Sequence, residues 1–354
     1  MKLLLKILLL PFSVLYGFIT FLRNKLYDWG VFHSESFDIP VICVGNLSTG
    51  GTGKSPAIEY LIRLLQHNNV HLATLSRGYG RKTKGFIIAD HTATAATIGD
   101  EPLQFFQKFN NLTVSVCEDR VNGINLLLKK QPSPEVILLD DAFQHRSVKP
   151  GFTILLTDFN HLYAHDCVLP SGRLREFRSG AKRADIIIVT KSPENIAEAQ
   201  RNEIIKSLNP TSNQCVLFSF TRYKDLLPFF ENAVQPTITS LNEFEIVLFS
   251  GIADPTPLIE HLKVNSKMLH TIRFSDHHPY LKKDIKNISQ KFCNIASEKK
   301  VIISTEKDFS RLAHKNILKE LSSFPVYYIP VEMDFSETDK KTFDQKILNY
   351  VEQN

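Results

Sequence analysis

The chain has 354 residues, 43% hydrophobic, 22% charged and 10% aromatic, which excludes disordered and collagen-like classes and leaves room for two domains. Its 42 Lys and Arg against 37 acids give a net charge of +5, too mild to point to nucleic acid as a partner. The five cysteines, Cys43, Cys117, Cys167, Cys215 and Cys293, are scattered and never form a CxxC pair, so neither a disulfide scaffold nor a structural zinc site is supported.

Residues 1 to 30 stand apart. Lys2, Lys6, Arg23 and Lys25 against Asp28 put +3 of the charge here. Between Lys6 and Arg23 lie 16 uncharged residues, Ile7 to Leu22, mostly Leu, Phe, Ile, Val or Tyr. A bilayer-spanning helix uses about 17–25 such residues, and Pro11 interrupts this run. Ser13, Gly17, Thr20 and Asn24 share one helical stripe, which leaves a broad apolar face elsewhere. A helix of this kind, flanked by cations, is expected to lie on a membrane surface among anionic headgroups. A cleaved signal peptide, a spanning helix and a buried core helix are the competing readings; the first lacks an Ala-x-Ala site.

Beyond a polar bridge, Ile39 to Val44 reads as a β-rich run ending at Gly45, followed by helical periodicity from Pro56 to Gln66. Strand-like runs recur near His71 to Leu75, Phe86 to Ala89, Thr113 to Cys117, Val136 to Leu139, Phe152 to Thr157 and Ile186 to Val189. Helical patterns such as Glu101 to Phe109 and Arg120 to Lys130 lie between several of them. This alternation predicts an α/β fold: a mostly parallel sheet of the P-loop NTPase type with helices on both faces. The chain changes character near Gln214 to Tyr223, and a second α/β series runs through Glu245 to Phe249, Val301 to Ser304 and Val326 to Ile329. The expected organisation is an N-terminal membrane-interface helix over 1–30, a P-loop kinase domain over 31–220 and a smaller α/β domain over 221–354.

The strongest local signal is Gly45-Asn46-Leu47-Ser48-Thr49-Gly50-Gly51-Thr52-Gly53-Lys54-Ser55, which follows a strand and opens a helix. Main-chain amides in such a turn wrap phosphate oxygens, and the helix N-terminus adds a favourable field. Residues 48–55 are therefore the candidate site for ATP, with Lys54 reaching the β- and γ-phosphates and the Ser55 hydroxyl on Mg²⁺. Ser48 stands where the strict pattern has Gly. The run Val136 to Leu139 ends in Asp140-Asp141, either of which can hold Mg²⁺ directly or through water.

With Gly99-Asp100-Glu101-Pro102 added, the chain resembles the tetraacyldisaccharide 4'-kinases, the lipid A 4'-kinase family. The resemblance rests on motifs in order along nearly the whole chain. They are Leu8-Leu9-Leu10-Pro11, Leu15-Tyr16-Gly17, the glycine loop, Ser76-Arg77-Gly78-Tyr79-Gly80 and Asp140-Asp141-Ala142-Phe143-Gln144-His145. Further on come Leu169 to Glu176, Phe274-Ser275-Asp276-His277-His278 and Thr305-Glu306-Lys307-Asp308. The resemblance implies ATP-dependent phosphorylation of the 4'-hydroxyl of tetraacyldisaccharide 1-phosphate, the lipid A precursor, to lipid IVA at the cytoplasmic face of the inner membrane. It implies Asp100 and His277 as the catalytic pair, with Glu101 beside Ser55, Asp140 and Asp141 as a candidate for Mg²⁺. The family usually has Thr where this chain has Ser55, and Pro where it has Arg173.

A sugar hydroxyl is a weak nucleophile, so a carboxylate that takes its proton is the expected helper; Asp100 is assigned that role, with His277 or His278 orienting it and domain closure assembling the pair. A helix cap is the structural alternative for Asp100, and a metal site or phosphoesterase signature for the two histidines. Arg77, Arg173 and Arg175 are planar donors for phosphate or sugar oxygens. Asn46, Tyr79, Gln144, His145 and Glu176 are further substrate-binding candidates drawn from the resemblance. Thr305 to Asp308 fits a capping box. Another membrane glycolipid as acceptor, or an ATPase switch with a deviant loop, are the rival functions; Thr49 stands where that switch carries an extra lysine.

Overall fold

The computed structural model describes residues 2–230, 238, 240–276, 278–312 and 320–354, with side chains from Leu8 onward. They divide into two compact units, Met1–Arg222 with Glu332–Asn354, and Tyr223–Val331.

The first unit begins with α1 (Lys2–Asp28), β1 (Val41–Asn46), α2 (Lys54–His67), β2 (Leu72–Ser76), β3 (Ile87–Ile88) and α3 (Ala95–Ile98). It continues with α4 (Asp100–Lys108), β4 (Thr113–Val116), α5 (Arg120–Leu128), β5 (Val136–Asp140), β6 (Phe152–Asp158), β7 (Ile186–Thr190), α6 (Glu198–Leu208) and β8 (Cys215–Tyr223). The second unit holds β9 (Leu227–Pro228), β10 (Glu245–Ser250), α7 (Thr256–Val264), β11 (Met268–Arg273), α8 (Lys282–Cys293), β12 (Lys300–Thr305), α9 (Glu306–Leu312) and β13 (Val326–Ile329). The chain then forms β14 (Val331–Phe335) and α10 (Glu337–Glu352). A second domain running to residue 354 was expected; instead Met333, Phe335, Phe343 and Ile347 join the core of the first unit.

The larger sheet has nine strands in the order β14-β8-β7-β6-β1-β5-β2-β4-β3. Pairing is parallel from β8 to β4, and the two-residue β3 closes the edge antiparallel to β4. Strand alternation explains why both faces are covered. Ile42, Val44, Leu138, Ile154 and Ile188 pack with Ile58, Leu61 and Leu65 of α2 and Phe343 of α10. Their neighbours turn the other way, Cys43, Ile137 and Leu139 onto Ile124 of α5, and Leu155 and Ile187 onto Ile204 and Leu208 of α6. Because β1 is central, its C-terminal end lies beside those of β5 and β6, the place where parallel sheets bind ligands.

The second unit repeats this logic on five strands, β11-β10-β12-β13-β9, parallel except for β9. Val247, Phe249 and Ile302 meet Ile285 and Ile288 of α8, while Ile246, Leu248 and Ile303 meet Leu258 and Leu262 of α7.

Helix α1 lies on the first unit by its small-residue stripe. The Ser13 hydroxyl accepts from the Ser171 amide at 2.8 Å, Gly17 sits against the Phe177 ring, and Asn24 Nδ2 donates to Glu176 at 2.6 Å. Phe12, Val14, Leu15, Phe18 and Ile19 are each 58% or more exposed, so the core-helix alternative does not hold. No helix among the described residues is long and apolar enough to cross a membrane.

Candidate active site

The glycine loop joins β1 to α2, as its sequence requires. Gly53 adopts φ 83 at the N-cap of α2, a left-handed conformation that favours glycine, and Pro56 falls in the first turn, where no hydrogen bond is lost. The amides of Gly51, Gly53, Lys54 and Ser55 enter no main-chain hydrogen bond among the described residues, so the loop presents convergent donors. Its first limb is held by residues 173–175: the Thr49 amide donates to Arg173 O at 2.8 Å, and the Arg175 amide to Leu47 O at 2.7 Å.

Around the loop stand the expected acids. The Ser55 hydroxyl donates to Glu101 at 2.7 Å, and the Lys54 ammonium lies 3.8 Å from Asp141. Asp141 has φ 49, a strained conformation for a non-glycine residue, and also accepts from Arg175 at 2.9 Å. Asp140 ends β5 and is 3% exposed. Burial, with Glu101 and Asp141 adding like charge, pushes its carboxyl up to about 7 against the pull of Lys54 and Arg120. Its Oδ1 is buried without a hydrogen-bond partner. An orphaned carboxylate oxygen, stressed by the charges of Glu101 and Asp141, fits a hard divalent cation. No group of three or more His, Cys, Asp or Glu side chains able to hold a metal occurs among the described residues. Mg²⁺ needs no such cage, since it keeps water and phosphate oxygens as ligands.

Asp100 is the first residue of α4 and Gly99, with φ 94, is its N-cap, so Asp100 is not the cap that the structural alternative supposed. A Cβ at position 99 would come within 3.0 Å of Tyr79 O and 3.2 Å of Gly78. That close backbone approach ties the Gly78–Gly80 turn to the start of α4. Arg77 and Tyr79 project from this turn, both exposed.

The remaining candidates separate. Arg175 bridges Asp141 and Gln144 Oε1, at 2.9 and 3.3 Å, and Gln144 Nε2 donates to Asn46 O and to Glu176 at 2.9 and 3.0 Å. Glu176, expected to touch substrate, is 1% exposed and takes two hydrogen bonds from Arg183, at 2.8 and 2.9 Å, besides those from Asn24 and Gln144. It is a buried hub. Asn46, also expected at the substrate, is wholly buried at the end of the central strand, and its Nδ2 donates to Thr52 Oγ1 at 2.5 Å. Arg173 is half exposed and pairs with Asp166 and His161. His145 accepts from the Arg120 amide at 3.4 Å; burial, then the Arg120 charge, holds its imidazole down at about 4.

In the second unit, His277 lies outside the described residues. His278 is committed locally: its Nε2 is 2.9 Å from Asp284 and its ring stacks on Phe274 at 4.6 Å. Thr305 and Asp308 exchange the hydrogen bonds of the expected turn, and the buried Asp308 also accepts from the Gly251 amide at 3.1 Å. Sequence reasoning missed Arg183, Arg120 and the pair Thr190 and Lys191; only their nearness in the fold reveals them.

A family model described as tetraacyldisaccharide-1-P 4'-kinase (LpxK) matches residues 5–352. A tetraacyldisaccharide 4'-kinase of Bacteroides thetaiotaomicron is 45% identical over 355 residues, spanning 98% of this chain and 93% of that protein. One from Flavobacterium psychrophilum is 49% identical over 346 residues, spanning 97% and 96%. The crystal structure of LpxK from Aquifex aeolicus in complex with ATP superposes with a TM-score of 0.74 at 29% identity, covering 98% of this chain and 99% of that one. Matches of this extent leave one conclusion: the chain belongs to the tetraacyldisaccharide-1-P 4'-kinase family.

Proposed function

We propose that the protein transfers the γ-phosphoryl group of ATP to the 4'-hydroxyl of tetraacyldisaccharide 1-phosphate, giving lipid IVA, while bound at the cytoplasmic face of the inner membrane. The observation that carries this reading is one segment, 171–176, with two attachments. It pairs with the phosphate loop through Arg173 and Arg175, and it holds α1, whose outer face is apolar and exposed, through Ser171 and Glu176. A phosphate loop fixed to a membrane-seeking helix suits an acceptor whose acyl chains stay in the bilayer.

In this reading the amides of Gly51, Gly53, Lys54 and Ser55 and the Lys54 side chain receive the phosphates. Ser55 and Asp140, with Asp141 and Glu101 close by, would hold Mg²⁺. When bound, Mg²⁺ offsets negative charge on the β- and γ-phosphates. Asp100 accepts the proton of the attacking hydroxyl and His277 is the second proposed catalytic residue, while the exposed Arg77 and Tyr79, with Arg173, Arg175, Gln144 and His145, take the acceptor headgroup.

The test is transfer of label from γ-labelled ATP to tetraacyldisaccharide 1-phosphate in mixed micelles. The expected result is labelled bis-phosphate that requires Mg²⁺ and falls about 10²–10⁴-fold in Asp100→Ala. Mg²⁺-dependent ATP binding without transfer would keep the nucleotide site and discard this acceptor.

A further inference from the structure

A loop that turns its amides toward phosphate must send its carbonyls elsewhere, and each needs a donor. Two residues beyond the loop supply them. The Thr190 hydroxyl donates to Thr52 O at 2.9 Å, and the Lys191 ammonium donates to Gly51 O at 2.5 Å. Lys191 is held in turn by Asp158, 2.8 Å away at the end of the adjacent strand β6. Its backbone takes φ 57, an uncommon conformation for a residue with a Cβ. Thr190 is nearly fully buried, 2% exposed, and its Cβ would lie 3.6 Å from a Cβ placed on Gly53. A solubilising surface lysine would need neither the strained backbone nor two partners.

We infer that Lys191, assisted by Thr190, is a positioning residue for nucleotide binding. It fixes the Gly51 carbonyl away from the anion so that the loop amides are preset before ATP arrives. This rests on the reading of residues 48–55 as the ATP site. It goes beyond that reading in that a residue just past the end of β7 sets the nucleotide affinity. Because the ammonium is spent on Gly51 and Asp158, it acts on the loop as a whole and not on the γ-phosphate.

The experiment compares the intact protein with Lys191→Met and Lys191→Arg. Binding of MgADP and of a non-hydrolysable MgATP analogue is measured by calorimetry, alongside steady-state kinetics. The expected result for Lys191→Met is an increase of about tenfold in Kd for both nucleotides, the scale of one lost hydrogen bond from a charged donor. KM for ATP should rise in parallel, with the KM for the lipid acceptor and the kcat at saturating ATP little changed. Lys191→Arg, which keeps a cationic donor, should recover most of the affinity. A loss confined to the triphosphate would overturn the inference, since it would mean direct contact with the γ-phosphate. Unchanged affinity for both nucleotides would overturn it as well. If Lys191→Met does not fold, Asp158→Asn, which leaves the lysine but loosens it, should weaken both nucleotides in the same direction; no effect there would count against the inference. Failure of the unaltered protein to bind ATP would instead remove the nucleotide reading itself, and this inference with it.

Discussion

The phenol of Tyr16 donates to the main-chain oxygen of Arg175 at 3.0 Å, and the amide of Arg175 donates to Leu47 at the root of the phosphate loop. Two hydrogen bonds therefore separate a helix with an exposed apolar face from the loop assigned to ATP. Gly17→Leu tests that link. A Cβ at this position would lie 2.7 Å from the Phe177 ring, so the larger side chain wedges α1 outward at a cost of about 1–3 kcal/mol. The expected outcome is a lower melting temperature and a KM for ATP raised severalfold, read in detergent so that vesicle binding does not contribute.

The outer face of α1 predicts a different phenotype. Phe12 and Phe18 are 63% and 59% exposed. Burying one such side chain is worth about 1.5–3 kcal/mol. Phe12→Asp with Phe18→Asp should weaken partition onto anionic vesicles by at least about 100-fold, with ATP affinity in solution unchanged. Vesicle flotation against salt measures it.

Asp140 predicts effects of opposite sign on stability and activity. Its carboxylate is buried, with Oδ1 unpartnered. In chelator, Asp140→Asn should unfold at a higher temperature than the unaltered protein, because a buried charge has gone. With Mg²⁺ and ATP it should lose about 100-fold or more in kcat. Differential scanning calorimetry and the transfer assay report the two arms.

The paired histidines should separate cleanly. His278 is occupied by Asp284 and Phe274, so His278→Ala should destabilise the second unit by about 1–3 kcal/mol and spare most of kcat. His277→Ala, at the proposed catalytic histidine, should lower kcat by about 10²-fold or more. Denaturant titration with parallel kinetics distinguishes them, and a kcat loss in His278→Ala equal to that of His277→Ala would refute the assignment.

His145 sets a pH dependence. The unfolded chain protonates this imidazole near 6.5, whereas the folded chain, where burial and the Arg120, Arg77 and Arg23 charges outweigh Asp119, does so only near 4. Between those values the unfolded state holds more protons, so stability falls as pH falls from 6.5 to 4 and the effect levels off below. His145→Gln should flatten that part of the curve in denaturant titrations.

The parallel architecture and the phosphate loop were legible because both are local: apolar runs alternate with helical spacing, and residues 45–55 carry their own turn chemistry. The stripe of Ser13, Gly17, Thr20 and Asn24 was read correctly as a face, but not as the face that docks, because its partners lie more than 140 residues away. Glu176 and Asn46 looked like substrate ligands since a polar residue in a motif invites that reading. Arg183 instead engages both carboxylate oxygens of Glu176, and Thr52 takes the Asn46 amide nitrogen, while Asn46 Oδ1 stays buried without a partner. Lys191 carried no signal at all, for its meaning depends on strand β7 ending beside the loop.

The return of β14 and α10 to the first unit orders events during synthesis. Phe343 and Ile347 are fully buried there, and the Tyr350 hydroxyl accepts from the Val41 amide at 3.1 Å, at the start of the strand that leads into the glycine loop. The sheet, whose other strands are made earlier, therefore stays open on one flank until α10 emerges. Meanwhile the intervening residues 223–331 possess their own core and can fold first. A premature stop just after Val331 would thus spare the second unit and cripple the first, although every residue assigned to ATP had already been translated.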